Sequence, residues 1–271
     1  MRRTHIGHGE DAAVTAHRHR IRRAFGAARD YEGQAKIQRV AAEALADRIA
    51  GLALPPNPRI LEIGCGTGFL TGALIDRGVK GDWLITDIAP GMVARCRDRF
   101  GEGEGRSFAV LDGEYGIAEG SGYDLVCSSL AMQWFADQDA AVGRILAALA
   151  PGGQCLFTTL AAGSFAEWRA AHDTAGLCAG TPDFLGADAF AAMHPEAQAR
   201  PPVITPIAER HDSALGFLRA LRDIGAQVAA PGHRPLSPAN LRQVMQAFED
   251  GGCSVTYEVV TCHYARKGEA A

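Results

Sequence analysis

The chain has 271 residues, of which 47% are hydrophobic and 21% are charged, and its formal net charge is −4. This length allows one large domain, or one domain with additions. The acidic balance argues against a dedicated nucleic-acid binder, which needs surplus lysine and arginine to contact phosphates. Because no apolar stretch is long enough to cross a bilayer, no membrane partner is expected.

The N-terminal residues lack the apolar core of a secretory signal, and Glu10 and Asp11 interrupt their basic character. Residues 1–16 are expected to form a disordered leader, with a mitochondrial presequence as an alternative. Seven cysteines without a C-x-x-C pair are typical of reduced thiols, so a cytoplasmic protein is the simplest interpretation. His17 and His19 have no cysteine nearby, and no metal site is expected.

Residues 17–271 are expected to form a single domain. From residue 17 to residue 50 the pattern is helical, since apolar residues in "IQRVAAEALADRI" recur at helical spacing. The run "LPPNP" ends this segment. Between residues 59 and 160, five apolar strands alternate with helices. This alternation predicts an α/β fold with a doubly wound, mostly parallel sheet.

Beyond this core the alternation weakens. Ser164 and Glu167 form a capping box, which predicts the start of a helix. Helices on the substrate side are expected within 161–202 and 212–250, with a strand "VITPIAER" between these regions. The β-branched and aromatic run at 254–267 predicts the last strand.

The first strand runs into a glycine loop, "GCGTG", of the kind that binds nucleotides. A dinucleotide fingerprint needs G-x-G-x-x-G, whereas Gly64, Gly66 and Gly68 give G-x-G-x-G, and Phe69 stands where the third fingerprint glycine would be. No Gly-Lys-Ser or Gly-Lys-Thr follows, so the loop is not of the Walker type. The spacing favours a ligand with a single adenosyl group over a dinucleotide.

Acidic residues stand near the ends of the predicted strands. Asp87 ends the second strand, where a carboxylate can accept hydrogen bonds from both hydroxyls of one ribose. Glu62 lies just before the glycine loop, and Asp112, after the third strand, can accept a hydrogen bond from an adenine amine. Ile88 and Met92 can hold a purine ring between them.

Four successive stretches, "LEIGCGTGFLTGAL", "TDIAPGM", "LDGE" and "YDLVCSSLAMQW", resemble the ordered motifs of class I S-adenosylmethionine-dependent methyltransferases. The resemblance implies a Rossmann-like sheet of seven strands, with a helical lid at 17–50, a cofactor-binding core at 59–160 and a C-terminal helical insertion. It also implies S-adenosylmethionine as the methyl donor, and it adds Gly113 and Ser129 to the cofactor-binding residues. The alternative is a strand, turn and helix whose glycines serve packing alone.

Three further stretches resemble the malonyl-acyl-carrier-protein O-methyltransferases that start pimeloyl synthesis for biotin. They are "AFGAARDYEGQAKIQRVAAEAL", "SLAMQWFAD" and the C-terminal third with "FLRALRDIGA" and "VTYEVV". The implied reaction esterifies the free carboxylate of malonyl-acyl carrier protein. The alternatives are another small-molecule methyltransferase, an arginine hydroxylase that assists complex I assembly, and a non-catalytic binder of adenosyl ligands.

The implied acceptor needs no general base, because a carboxylate is already ionised at neutral pH. The resemblance points to Arg219 as the residue that engages one carboxylate oxygen, against the alternative of a solvent-facing helical arginine. It also points to Tyr31 as a lid residue near the methionyl sulfur, against plain helix packing. Gln133 and Trp134 follow the fourth strand and are expected to line the acceptor pocket, although Trp134 alone is equally typical of a core.

A basic segment, "HRHRIRRAF", precedes the expected lid. Its arginines, Arg18, Arg20, Arg22 and Arg23, are expected to form a docking surface for the acidic carrier protein. The alternative is a solvated helix face or a disordered basic tail.

Overall fold

The computed structural model describes residues 8–27, 31–103 and 105–268, with side chains from Thr15 onward except those of Tyr31 and Glu32. The helices are α1 (His8–Gly26), α2 (Tyr31–Gln34), α3 (Lys36–Ala50), α4 (Phe69–Asp76), α5 (Pro90–Phe100), α6 (Gln138–Ala148), α7 (Ala166–Thr174), α8 (Ala187–Ala192), α9 (Ala214–Asp223) and α10 (Pro238–Asp250). The strands are β1 (Arg59–Ile63), β2 (Asp82–Asp87), β3 (Arg106–Val110), β4 (Tyr123–Ser129), β5 (Leu149–Leu160), β6 (Gln198–Arg210) and β7 (Ser254–Ala265). None of the helices in this described part of the chain is both long and apolar enough to cross a membrane.

The strands form one seven-stranded sheet in the order β3-β2-β1-β4-β5-β7-β6. The first five strands pair in parallel, whereas β7 runs antiparallel to both β5 and β6. The predicted doubly wound, mostly parallel α/β sheet is therefore confirmed. Because β2 lies on one side of β1 and β4 on the other, the chain order reverses at β1. Such a reversal opens a crevice at the carboxyl ends of the strands, where open α/β sheets bind ligands.

The central strands are apolar on both faces because helices cover both. Ile60 of β1 points to a core formed with α3, α4 and α5, while the next residue, Leu61, points to a core formed with α6 and α8. A third apolar cluster joins α7, α9 and α10 to β7, with Trp168, Phe217 and Phe248 in edge or tilted ring contacts. This third cluster builds the C-terminal side of the crevice.

The N-terminal segment differs from its prediction. Residues 8–16 lie in α1, so the expected leader is wrong for these residues, while residues 1–7 lie outside the described part. The lid region contains three helices, α1 to α3, rather than one continuous helical pattern. The side chain of Tyr31 lies outside the described residues, so its predicted cofactor contact stays a prediction.

The predicted capping box at the start of α7 is wrong. The Ser164 hydroxyl accepts a hydrogen bond from the Glu258 N–H at 3.0 Å, and the Glu167 carboxylate accepts one from the Thr256 N–H at 2.9 Å. Both side chains thus bind β7 instead of the end of their own helix. Phe165 precedes α7 with a left-handed backbone, φ 62°.

Strand β6 is longer than predicted and begins at Gln198, inside the region assigned to helices. It contains Pro201, Pro202 and Pro206, which resemble loop residues in the sequence. A sheet accepts proline on an edge strand because the missing N–H need not pair. The edge position of β6 explains why this proline-rich run is a strand.

Candidate functional site

The loop after β1 brings glycine backbones to the crevice. Gly64 and Gly66 have φ angles of 71° and 55°, a region that favours glycine. A Cβ on Gly64 would lie 2.4 Å from the Cβ of Ala131. The close approach of these two segments of the chain therefore requires glycine at position 64. The Gly66 N–H donates a hydrogen bond of 3.0 Å to Asp87 Oδ2, which ties the loop to the end of β2.

Asp87 supplies a buried carboxylate at this point. Its Oδ1 accepts a hydrogen bond of 2.8 Å from the Ala89 N–H, and the residue is 8% exposed. Burial raises the pKa of the Asp87 carboxyl, and the N–H donors of Ala89 and Gly66 oppose that rise. A carboxylate has about four lone-pair sites, so two backbone donors leave acceptor capacity for the hydroxyls of a ligand.

A first cavity of about 80 Å³ opens beside Asp87. Its wall comes from α1, from the ends of β1, β2 and β4, and from the segment after β3. Most of the residues predicted to bind a cofactor border it, namely Gly64, Gly66, Asp87, Ile88, Asp112, Gly113 and Ser129. The volume is far below the roughly 300–1,000 Å³ of typical small-molecule sites, because side chains of α1 occupy part of the crevice.

Helix α1 covers the first cavity with Arg18, Ile21 and Phe25. Arg18 forms an ion pair with Asp112, and its Cζ lies 4.6 Å from the centre of the Tyr115 ring. The guanidinium of Arg18 therefore faces the cavity. Its predicted place in the docking surface stays a prediction.

Glu62 lies beneath the glycine loop and does not border the first cavity, and its assignment as a cofactor ligand stays a prediction. It is 1% exposed, and its Oε2 accepts a hydrogen bond of 2.7 Å from the Thr71 hydroxyl. Burial raises the pKa of Glu62 to about 7, and the bond from Thr71 opposes the rise. Glu62 therefore acts on the site through the loop that covers it.

Gly68 and Met92 also lie off the wall of the first cavity, and their assignments as cofactor ligands stay predictions. Gly68 precedes α4, and a Cβ there would lie 2.3 Å from the Phe100 ring, so this glycine lets α4 pack closely on α5. Met92 is buried in a small cluster with Ala89, against which Phe25 packs. It supports the floor under α1.

A second cavity, of about 540 Å³, is formed by α7, α9 and the loops that flank them. Its wall is mainly apolar. The two cavities share Phe25, Leu130 and Trp134, and the rings of Phe25 and Trp134 meet edge to face with 5.5 Å between centroids. Groups held in the two cavities would come together at these shared residues. Trp134 is thus a wall residue of both cavities, while its contact with an acceptor stays a prediction.

Gln133 borders the second cavity, and its predicted contact with the acceptor stays a prediction. Its Nε2 donates a hydrogen bond of 2.7 Å to the Leu130 carbonyl, and its Oε1 is enclosed without a partner. A carbonyl can only accept, so this contact fixes which end of the amide is which. Leu130 has a left-handed backbone with φ 49°, unusual for leucine and common at functional sites. An enclosed acceptor without a donor costs about 1–3 kcal/mol.

His172 is a wall residue that the sequence analysis did not single out. It is 3% exposed, and its Nδ1 lies 2.9 Å from the Trp168 carbonyl oxygen. That oxygen can only accept, so Nδ1 carries a proton, and in the matching tautomer of an imidazole Nε2 is the acceptor. A lone histidine in an apolar run gives no signal of this in the sequence.

Arg219 does not border either cavity and is exposed on α9. Arg222, one turn further on, does border the second cavity, and among the described wall residues it alone has a permanent charge. Leu218 and Leu221 lie on the same wall, and Arg222 follows Leu218 by four residues. Helical spacing therefore places Arg222 on the cavity face of α9. The four-residue spacing from Leu218 is the feature of the sequence that could have identified Arg222.

Comparison with known proteins gives the family. A family model described as a methyltransferase domain matches residues 60–153, from β1 into β5. Over 91% of its length, the chain is 39% identical to a malonyl-acyl-carrier-protein O-methyltransferase of Magnetococcus marinus, of which it covers 92%. The chain belongs to the malonyl-acyl-carrier-protein O-methyltransferase family. The glycine loop, Asp87, Leu130 and Trp134 lie within the matched residues, whereas Phe25 lies in α1, before them.

A second relative is longer than this chain. Over 88% of its length the chain is 45% identical to the biotin biosynthesis bifunctional protein BioCD of Bordetella avium, and it spans 50% of that protein. Among solved structures, the YcgJ protein of Bacillus subtilis has a TM-score of 0.56 at 14% identity, covering 84% of this chain and 99% of that one. An identity this low supports the fold alone.

Proposed function

We propose that this protein transfers a methyl group from S-adenosylmethionine to the free carboxylate of malonyl-acyl carrier protein, giving the methyl ester that starts pimeloyl synthesis for biotin. Membership of the family and the names of its relatives support this substrate. The observation that carries the proposal is the pair of cavities that meet at Phe25, Leu130 and Trp134. A reaction between two separately bound molecules needs such a meeting point.

The first cavity suits an adenosyl methyl donor. Asp87 offers acceptor sites to two ribose hydroxyls, and Ile88 and Leu111 offer apolar surface to a purine. Asp112 is a second acceptor, suited to the exocyclic amine once Arg18 gives way. The small volume implies that α1 shifts when the donor enters. Tyr31 follows α1 in the chain, and we assign it a place in this lid.

The donor, when bound, supplies an electrophilic methyl group on a sulfonium. The acceptor carboxylate is ionised at neutral pH, so the protein need not remove a proton. What remains for the protein is orientation and removal of water from two oppositely charged reactants. Phe25, Leu130 and Trp134 are suited to this role because they present apolar surface where the cavities meet.

The acceptor brings negative charge into a mainly apolar cavity. Arg222 is the permanently charged residue on the described part of that wall, and we assign it, rather than Arg219, to attract this charge. A guanidinium that engages one carboxylate oxygen leaves the other free to attack. Arg219 is the alternative from family resemblance; it is exposed one turn earlier on the same helix and does not border the cavity.

The carrier protein itself is proposed to dock on α1. Arg20, Arg22 and Arg23 are exposed there, while Ile21 between them is buried against the site. Clustered positive charge steers an acidic partner toward the surface that bears it. Docking on the helix that covers the donor would place the bound acyl group close to the reaction point.

The direct test is methyl transfer from labelled S-adenosylmethionine to malonyl-acyl carrier protein, with acetyl-acyl carrier protein as the control. Only the malonyl form has a free carboxylate, so only it is expected to gain label. Calorimetry is expected to show binding of S-adenosylmethionine and of S-adenosylhomocysteine, and no binding of nicotinamide dinucleotides. Dinucleotide binding without adenosylmethionine binding would refute the proposal.

A further inference from the structure

The second cavity is large, and its mainly apolar wall also carries several polar side chains. At about 540 Å³ it far exceeds a malonyl group, and aromatic and aliphatic side chains make most of its surface. If the acceptor carboxylate reacts at Phe25, Leu130 and Trp134, the rest of this volume must hold the chain to which the malonyl group is attached. The polar groups on the wall then indicate the chemistry of that chain.

Two of these polar groups are acceptors in need of a donor. Oε1 of Gln133 has no partner, and the bond from Nε2 to the Leu130 carbonyl prevents the amide from turning its N–H₂ outward. The ring of His172 donates from Nδ1 to the Trp168 carbonyl, which leaves Nε2 as the nitrogen that can accept from a ligand. Neither acceptor suits the acceptor-only oxygens of a carboxylate. Both suit an amide N–H.

We infer that the second cavity is a binding site for the pantetheine chain of an acyl thioester, with Gln133 Oε1 and His172 Nε2 accepting hydrogen bonds from its two amide N–H groups. This inference rests on the proposed methyl transfer to a malonyl thioester. A pantetheine chain consists of methylene and dimethyl groups interrupted by two amides. It therefore matches a mainly apolar cavity in which Gln133 Oε1 and His172 Nε2 are both able to accept.

The roles follow from this match. Gln133 and His172 are binding residues and do not touch the reacting methyl group. Their hydrogen bonds hold the thioester so that its carboxylate reaches the junction of the cavities. The side chain of Gln133 is held by its hydrogen bond to the carbonyl of Leu130, one of the residues at that junction. An amide bound to Gln133 Oε1 is therefore placed at a fixed distance from the reaction point.

The test compares thioesters with two, one and no amides: malonyl-pantetheine, the malonyl thioester of N-acetylcysteamine, and S-butyl malonyl thioester. The wild-type kcat/KM is expected to fall in this order. His172→Phe keeps an aromatic ring beside Trp168, and Gln133→Met keeps the length of the side chain. Each is expected to lower kcat/KM for malonyl-pantetheine about threefold to tenfold, through KM, and to change it less than twofold for the S-butyl thioester.

His263→Phe is the matched control, since His263 binds Gln154 between β5 and β7 and borders neither cavity. Its expected effect is the same on all three thioesters. Equal losses on all three in His172→Phe and Gln133→Met would overturn the inference. Equal kcat/KM values of the wild-type protein for all three thioesters would also overturn it. This second test does not depend on the folding of any variant.

Pantetheine without an acyl group separates this inference from the proposed reaction. Calorimetry is expected to show that the wild-type protein binds pantetheine and that His172→Phe binds it several-fold more weakly. That result would support the cavity assignment even if no malonyl thioester were methylated, in which case the proposed reaction would be refuted. Methylation of malonyl thioesters without any contribution from the amides would refute the cavity assignment alone.

Discussion

The carboxylate of Asp87 accepts a hydrogen bond of 3.0 Å from the backbone N–H of Gly66, and so joins the end of β2 to the loop after β1. The same side chain therefore sets the shape of the glycine loop and supplies the acceptor for a ligand on the cavity wall. Asp87 is held by the Gly66 and Ala89 N–H groups, so its free lone pairs point in a fixed direction before any ligand arrives.

Asp87→Ala is expected to weaken S-adenosylhomocysteine binding by about 1.5–3 kcal/mol, roughly tenfold to a hundredfold, because a charged acceptor is lost. Calorimetry measures this affinity directly. Thermal unfolding without ligand is the control, because loss of the bond to Gly66 also loosens the loop. An unchanged affinity would show that the carboxylate serves the loop alone.

Glu62 is expected to make stability depend on pH. Burial raises the pKa of Glu62 from 4.5 to about 7, so between these values the folded protein keeps a proton that the unfolded chain releases. The unfolded state then binds fewer protons, and the free energy of unfolding falls as pH rises from 4.5 to 7. The loss is at most about 3 kcal/mol, at about 1.4 kcal/mol per pKa unit.

Glu62→Gln removes this titration and keeps an acceptor for the Thr71 hydroxyl. The Tm of this variant minus that of the wild-type protein is therefore expected to be larger at pH 8 than at pH 5. Using the difference between the two proteins cancels the titration of other groups. The same difference at both pH values would contradict a raised pKa at Glu62.

The parallel core could be predicted from the sequence because each strand is a continuous apolar run, and the glycines that end these runs are close to them in the sequence. Positions that depend on packing between distant segments could not. Gly68 resembles a ligand-binding glycine until Phe100 is seen against it, and Ser164 resembles a helix cap until β7 is seen beside it. Residues 198–202 resemble a loop, since only the edge position of β6 makes their prolines acceptable in a strand.

The choice between Arg219 and Arg222 depends on helical phase. Arg222→Ala is expected to raise the KM for a malonyl thioester roughly threefold to tenfold while leaving the KM for S-adenosylmethionine within about twofold, because a rim charge attracts only the anionic acceptor. Arg219→Ala, the matched control one turn earlier on α9 at a residue that borders neither cavity, is expected to change neither. The reverse pattern would return the role to Arg219.

The loss of the ring contact between Phe25 and Trp134 is expected to slow methyl transfer. Phe25→Ala opens the apolar junction of the two cavities to water, and kcat is expected to fall at least about tenfold, because orientation and exclusion of water supply the rate. Phe25→Leu keeps an apolar side chain there and should retain most of the activity. Equal activity in Phe25→Ala and the wild-type protein would contradict a role for the junction.

The carrier-protein surface on α1 can be tested by charge. Reversal of Arg20, Arg22 and Arg23 to glutamate is expected to lower kcat/KM for malonyl-acyl carrier protein, since like charges then face the acidic partner. Malonyl-pantetheine has no protein surface and should react at nearly the wild-type rate. Added salt should weaken the wild-type reaction with the carrier protein in the same way, because screening acts over about 8–10 Å near physiological ionic strength.

A matched control separates docking from the change in net charge. Lys80, Arg242 and Lys267 are exposed and lie outside α1, so their reversal to glutamate makes the same change in total charge at other places. This second triple variant is expected to keep its activity with the carrier protein. Equal losses in the two triple variants would mean that overall charge, and not α1, governs the encounter. Equal losses on the carrier-protein and pantetheine substrates would mean that the α1 arginines support the lid over the first cavity instead of docking the partner.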